Sequence, residues 1–372
     1  MPNLTRRHLL KTAAALPLAG TLGVPLARAA EAPPVLVLVE LNGGNDGLNT
    51  VVPYADPVYV RHRPTLALPR EKVLQLDENL GLHPALEPLM PSWQGGELAV
   101  ALGVGYARPN RSHFRSIEIW NSASAAEETL RDGWLHRVLA ESGAAKAPPP
   151  GFAPQGIVLG GPEGPLAGDA LAPVVLRDPR RLAEASGLLG SGATAAANPA
   201  LAHILATRAR MRGAAEKIAR HLETAPALAG EFPKSALGAQ LRLAAGLIAA
   251  GTPASVMKLQ HGGYDTHARQ KDRHGALLAE LADGLAAFRQ AMIQAGCWRR
   301  CLVMTYGEFG RRVAENASGG TDHGTAAPHF LLGGRLRGGL YGAQPRLGGP
   351  GAPCPPAPHR LSEVLASAAP VW

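Results

Sequence analysis

The chain has almost no cysteine. Its 372 residues include three, Cys297, Cys301 and Cys354, which make no disulfide framework and read as buried free thiols. Aromatic residues are sparse at 5%, and no basic run carries interleaved aromatics, which argues against a nucleic-acid surface. A strong charge of either sign is also missing. The formal net charge is +8, but four of the 37 basic residues, Arg6, Arg7, Lys11 and Arg28, fall in the first 30 positions, where there is no acid. The 342 residues that follow hold 33 basic against 29 acidic groups, or +4, too mild a balance to require a polyanionic partner. There is no G-x-S-x-G elbow, no Gly-Lys-Ser/Thr phosphate loop and no repeat period. The apolar stretch from Thr12 to Leu26 is too short, and too broken by Pro17 and Pro25, to anchor the chain in a membrane.

What is present at the start is an address. Residues 1–30 combine a twin-arginine signature, Thr5 to Lys11, with that apolar stretch and a small-residue site at Ala27-Arg28-Ala29, so they read as a signal for the twin-arginine export machinery. The mature protein is then periplasmic or secreted, and it crosses the membrane already folded. Its 342 residues suffice for one large α/β domain.

The chemistry gathers where apolar runs end. Val35 to Leu41, interrupted only by Glu40, suits a central parallel strand and runs into Asn42-Gly43-Gly44-Asn45-Asp46-Gly47, a turn that presents Asp46,. A short helix over Leu80 to Gly96, with Leu82, Leu86 and Leu89 inward, precedes a strand from Leu98 to Val104. Ser112 then stands at a helix N-cap, among Arg108, Arg111, His113 and Arg115. A helix N-terminus favours anions, so this hydroxyl reads either as a cap or as a nucleophile.

From about Gly151 to Gly251 the sequence holds little chemistry, with strand-like pieces giving way to Ala/Leu/Arg-rich helical patterns that cover the sheet or cap the site. A strand from Ala254 to Leu259 leads to Asp265 and His267, two apart, and to His274 on the following helix. That helix, Ala276 to Ala295, carries Leu277, Leu281, Leu285, Phe288 and Met292 as a packing stripe,. A last strand, Leu302 to Tyr306, delivers Glu308, and a Gly/Ser-rich loop brings Asp322 and His323 to the mouth of another apolar run, Phe330 to Leu332. Carboxylates and imidazoles converging from two strand-fed loops are the ligands of zinc, manganese and similar ions.

The segments LNGGNDGLNTVVPY, NRSHFRS, GGYDTHARQ, TYGEFGRRVAEN and GGTDHGTAAP, in this order over roughly residues 35–345, resemble the domain-of-unknown-function family 1501. That family is related to the alkaline phosphatase and sulfatase superfamily. The resemblance implies an alkaline-phosphatase-like α/β fold, with a mostly parallel central sheet, helices on both faces and a helical insertion over about 151–250. It also implies a divalent metal (zinc, manganese or calcium, one or two ions) at Asp46, Asp265, His267, Glu308, Asp322 and His323. Either Asp322-His323-Gly324 is the superfamily's Asp-His-Gly, or Glu308 replaces that Asp and His323 is the late histidine. Ser112 takes the nucleophile's place, with Arg111 or Arg115 as an anion clamp. The activity implied is hydrolysis of a small anionic phosphate or sulfate ester. The alternatives are an exported binding or assembly protein that keeps the fold without turnover, and a metal-free serine hydrolase using Ser112 and His113. Beyond residue 347 the chain becomes Pro/Gly-rich where the family continues with an acidic segment and a helix. That tail is expected to be poorly ordered, the product of a truncation or shifted frame.

Overall fold

The computed structural model describes residues 32–141, 156–169, 173–176 and 198–348. The expected export signal, Cys354 and the tail beyond Gly348 lie outside the described residues. The chain divides into two units, 1–32 and 33–372, and the described residues after Ala32 belong to the second.

A continuous apolar segment can sit in a sheet only if both of its faces are covered. The first strand, β1 (Val35–Asn42), meets that condition at the sheet centre. Three short strands, β2 (Val51–Val52), β3 (Leu74–Gln75) and β4 (Gly81–Leu82), form a separate small sheet. The main sheet continues with β5 (Leu98–Val104), β6 (Gly156–Val158), β7 (Val174–Val175), β8 (Val256–Gly262) and β9 (Cys301–Tyr306). A hairpin of β10 (Arg311–Glu315) and β11 (Thr321–His323) then leads into β12 (Ala327–Gly333) and β13 (Gly339–Gly342). The eight strands lie in the order β13-β5-β12-β9-β1-β8-β6-β7. Every pairing is parallel except those of β12, which runs against both β5 and β9. The protein is thus an α/β fold on a large, mostly parallel sheet.

Alternation along β1 sorts the two cores. Val35, Val37, Val39 and Leu41 pack with the helices Ala236–Ala249 and Gln270–Gln294 through Leu241, Leu281, Leu285 and Phe288. On the opposite face Leu38 joins Ala99, Ala101, Met304 and Leu135, with Ile117 and Trp120 of the helix His113–Ser122 against them. Helices therefore cover both faces. Glu40 is tolerated on the second face because the buried Lys258 of β8 pairs with it at 2.7 Å and Tyr306 adds a hydroxyl at 3.2 Å,.

Three local expectations change. The segment expected as one helix over 80–96 begins with Leu82 on β4, then forms a 3-10 turn at Pro84–Leu89 and a short helix at Met90–Gln94. Pro84, Pro88 and Pro91 lack the donors that a continuous helix needs, although Leu82, Leu86 and Leu89 are fully buried as expected. The helix after Asp265 starts at Gln270, before the expected Ala276. The expected Gly/Ser-rich loop is the hairpin β10–β11, so Asp322 and His323 sit on a strand. Cys301 is buried and Cys297 half-buried, both as free thiols. No helix among the described residues is long and apolar enough to cross a membrane.

Candidate metal centre

The parallel register sets Asn42 beside Gly262 and Glu40 beside Tyr306, so β1, β8 and β9 end level with one another. β12 begins at the same edge, with Ala327 paired to Val104 at the end of β5. Five chain segments therefore meet there. The turn after β1 brings Gly43 and Gly44, the loop after β8 brings Asp265 and His267, and the turn after β9 brings Glu308. The loop after β5 opens the helix whose first residue is His113, and β11 brings His323.

Three imidazoles surround one carboxylate oxygen, Asp265 Oδ1. His267 Nε2 lies 3.0 Å from it, His323 Nε2 3.2 Å and His113 Nε2 3.6 Å, while His267 Nε2 and His323 Nε2 are 3.0 Å apart. What the opposite ring nitrogens touch decides the chemistry. His323 Nδ1 meets the Arg111 carbonyl at 2.9 Å, and a carbonyl only accepts, so that nitrogen carries the hydrogen. His113 Nδ1 meets Glu308 Oε1 at 2.8 Å, an oxygen already accepting the Gly43 N–H at 2.8 Å. His267 Nδ1 faces Asp322 Oδ1 at 3.3 Å. In the tautomer that carries hydrogen on Nδ1 the free lone pair is on Nε2, and the three Nε2 atoms stand around the Asp265 oxygen,. His113, Asp265 and His323 offer two imidazole nitrogens and a carboxylate oxygen within 4.8 Å of one another, with His267 Nε2 beside them, and such donors suit a borderline ion such as zinc. His113 Nε2 is buried without a hydrogen-bond partner, as a ligand atom for such an ion would be.

The surroundings hold these groups in place. Each histidine uses its far nitrogen on a carboxylate or carbonyl, which fixes ring orientation in the manner of known metal sites. Asn316 Nδ2 binds both Asp322 Oδ1 at 3.2 Å and the His267 carbonyl at 3.0 Å, tying the β10–β11 turn to the loop after β8. Burial would raise the pKa of Asp265, but the hydrogen bond and charge of Arg311 hold it down to about 2. Asp322 is also held below the usual range, first by its bond from Asn316. Gly43, at φ +118°, leaves no room for a side chain, since a Cβ there would stand 2.4 Å from the Asp265 backbone nitrogen. Gly43→Ala is therefore expected to displace Asp265, weakening Zn²⁺ binding in a calorimetric titration and destabilising the fold by about 1–3 kcal/mol in a denaturant melt.

Of the residues singled out from sequence, the structure brings together Asp265, His267, Asp322 and His323, with Glu308 one step removed behind His113. It does not bring Asp46 into this cluster. Asp46 is fully buried, and both its oxygens are taken by Arg63, at 2.5 and 2.9 Å, with Gln270 on Oδ2. A strand-end position gave it the look of a ligand, but the partner 17 residues on had no signature. Ser112 is exposed at the N-cap of the helix, and its hydroxyl does not cap it. Arg111 is exposed beside the cluster. Arg115 is not available as a clamp, because its guanidinium binds Glu118 at 2.8 Å and the carbonyls of Ala126 and Glu128 at 3.0 and 2.5 Å.

Two members were not singled out as metal ligands or anion clamps. His113 follows Ser112 directly and counted as nearby positive charge and as the partner of Ser112 in the metal-free alternative. Arg311 lies in the quoted segment TYGEFGRRVAEN, where nothing separates it from Arg312.

A family model described as "Protein of unknown function (DUF1501)" matches residues 34–367, running past the start of the Pro/Gly-rich tail. No curated protein matches the chain by sequence. Among solved structures, the chain is similar to the C-terminal periplasmic domain of EcEptC from Escherichia coli in complex with Zn, at 10% identity and TM-score 0.36, over 82% of this chain and 74% of that one. It is similar to the lipoteichoic acid synthase LtaP from Listeria monocytogenes, at 10% identity and TM-score 0.35, over 84% and 67%. It is also similar to Ps i-CgsB in complex with k-i-k-neocarrahexaose, at 10% identity and TM-score 0.37, over 84% and 69%.

Proposed function

The chain belongs to the DUF1501 family, and we propose that it is an exported, metal-dependent hydrolase of small phosphate or sulfate esters. The gathering of three Nε2 atoms around Asp265 Oδ1 carries this reading. His113, Asp265 and His323, with His267 beside them, would hold a divalent ion, zinc before manganese and well before calcium, which prefers an all-oxygen shell,. When bound, the ion supplies positive charge to the oxygens of a tetrahedral anion and lowers the cost of attack on it.

The chain's own groups do the rest. Ser112 stands at the positive end of the helix His113–Ser122, where an approaching anion is stabilised. Its Oγ attacks the phosphorus or sulfur as its proton passes to water, the bond to the ester oxygen breaks and the alcohol leaves with a proton from water, and a second water then hydrolyses the seryl ester, releasing the anion and restoring the hydroxyl. Arg111 reaches the anion's remaining oxygens as a two-pronged donor. Glu308 and Asp322 keep His113 and His267 in the orientation that leaves Nε2 free. The twin-arginine segment supports export, with the ion taken up during folding in the cytoplasm.

The test pairs metal content with turnover of generic aryl phosphate and aryl sulfate esters. Ser112→Ala is expected to keep the metal and lose turnover by at least about 100-fold, the loss of covalent attack. Metal without turnover in the wild-type protein would refute the hydrolase and favour an exported binding protein. Turnover without metal would favour the metal-free serine hydrolase.

A further inference from the structure

The ion count follows from a residue outside the ligand set. Arg311 opens β10 and is buried at 4% exposure. Its Nε donates to the Gly44 carbonyl at 2.6 Å, Nη1 to Thr321 at 2.8 Å, and Nη2 to Tyr264 at 3.0 Å and to the Gly43 carbonyl. The same Nη2 donates to Asp265 Oδ1 at 2.7 Å. Four backbone carbonyls from the segments after β1 and β8 and from β11 thus fix the guanidinium against the carboxylate at the centre of the cluster. The carbonyls carry no charge, so Asp265 is the carboxylate that pairs with it.

We propose that Arg311 is the fixed cation of Asp265 Oδ1, so that the centre takes one divalent ion and the guanidinium supplies the second positive charge. This rests on the metal reading above. Two dications sharing one carboxylate need further anionic ligands on the second ion. Here Asp265 Oδ1 already holds a cation that cannot lose its proton,. Of the neighbouring carboxylates, Glu308 turns Oε1 to His113 and Asp322 turns Oδ1 to His267. Arg311 is therefore a positioning residue: it holds Asp265 in place and ionised, while its own charge excludes a neighbour. Lysine at this position keeps the charge but not the fork that binds several carbonyls at once.

The experiment titrates chelator-stripped, full-length protein with Co²⁺, following the visible absorbance of the bound ion and the metal retained after gel filtration from excess. Wild-type protein is expected to retain one Co²⁺ per chain with a single-site isotherm. Arg311→Gln is expected to weaken Co²⁺ binding by roughly 10–100-fold, the effect typical of removing an outer partner of a ligand, and Arg311→Lys to fall between the two. Circular dichroism and melting midpoints accompany each variant, and if Arg311→Gln fails to fold, the wild-type stoichiometry and Arg311→Lys decide. Two ions per wild-type chain would overturn the inference while leaving the metal reading intact. So would an unchanged Co²⁺ affinity in a folded Arg311→Gln or Arg311→Lys. No bound ion in the wild-type protein would overturn both.

Discussion

Arg63→Met is expected to destabilise the fold by about 3–5 kcal/mol, the cost of leaving a buried charge without its partner. All of the guanidinium's nitrogens are engaged: Nε with the Val313 carbonyl at 2.8 Å, Nη1 with Asp46 and with Asn49 at 2.7 Å, Nη2 with Asp46 and with the Arg312 carbonyl at 2.9 Å. One side chain therefore ties the short helix after β1 to β10, the strand that carries Arg311. Its loss should appear in urea melts as a lower midpoint at an unchanged slope.

The pH dependence carries a sign. Burial by itself raises Asp46, but the charge and hydrogen bonds of Arg63 prevail and hold it below its ordinary value. A carboxylate depressed on folding contributes stability above its unfolded value of about 3.9 and loses that contribution as pH falls through the folded value. In Arg63→Met burial is no longer opposed by that cation, and Asp46 is expected to titrate above its unfolded value. Its stabilising contribution then exists at low pH and disappears as pH rises. The gap between wild type and variant should narrow on acidification towards pH 4, and a gap independent of pH would contradict this account of the pair.

The second large effect is at the centre itself. Asp265→Asn is expected to reduce Zn²⁺ affinity by more than the roughly 100-fold that loss of an outer partner costs. Two things are lost together. The oxygen at the meeting point of the three Nε2 atoms is no longer an anion, and Arg311, still fixed by four carbonyls, now repels the incoming ion uncompensated. The fold should survive, because the Asp265 side chain is 46% exposed. Calorimetric titration with Zn²⁺ checks this. Binding within a few-fold of wild type would show that Asp265 is not a ligand.

Much of this architecture was legible in the chain, for a physical reason. Strands buried on both faces must be continuously apolar, so β1, β5, β8, β9 and β12 stand out, and their ends point to the edge where Asp265, His267 and His323 meet. The hairpin β10–β11 was not legible. Its Asn, Ser and Gly residues read as loop, and its position depends on distant bonds, such as Arg269 N to the Ser318 carbonyl and Thr321 N to the Thr266 carbonyl. Asp46 shows the matching limit. A carboxylate at a strand end has the same sequence appearance whether its partner is an ion or a buried arginine, and only the folded path of 57–63 brings Arg63 to it. His113 and Arg311 differ from their neighbours in contacts alone, the one through Glu308 and the other through the carbonyls of Gly43, Gly44, Tyr264 and Thr321.

The most direct measurement is the zinc content of the folded protein after stripping and reloading, beside His113→Ala and His323→Ala, each checked for its fold by circular dichroism. Stoichiometric zinc in the wild-type protein, not displaced by excess Ca²⁺ and lost in both variants, is the predicted result. Zinc retained at wild-type affinity by either folded variant, or none bound by the wild-type protein, would contradict a centre built on those Nε2 atoms.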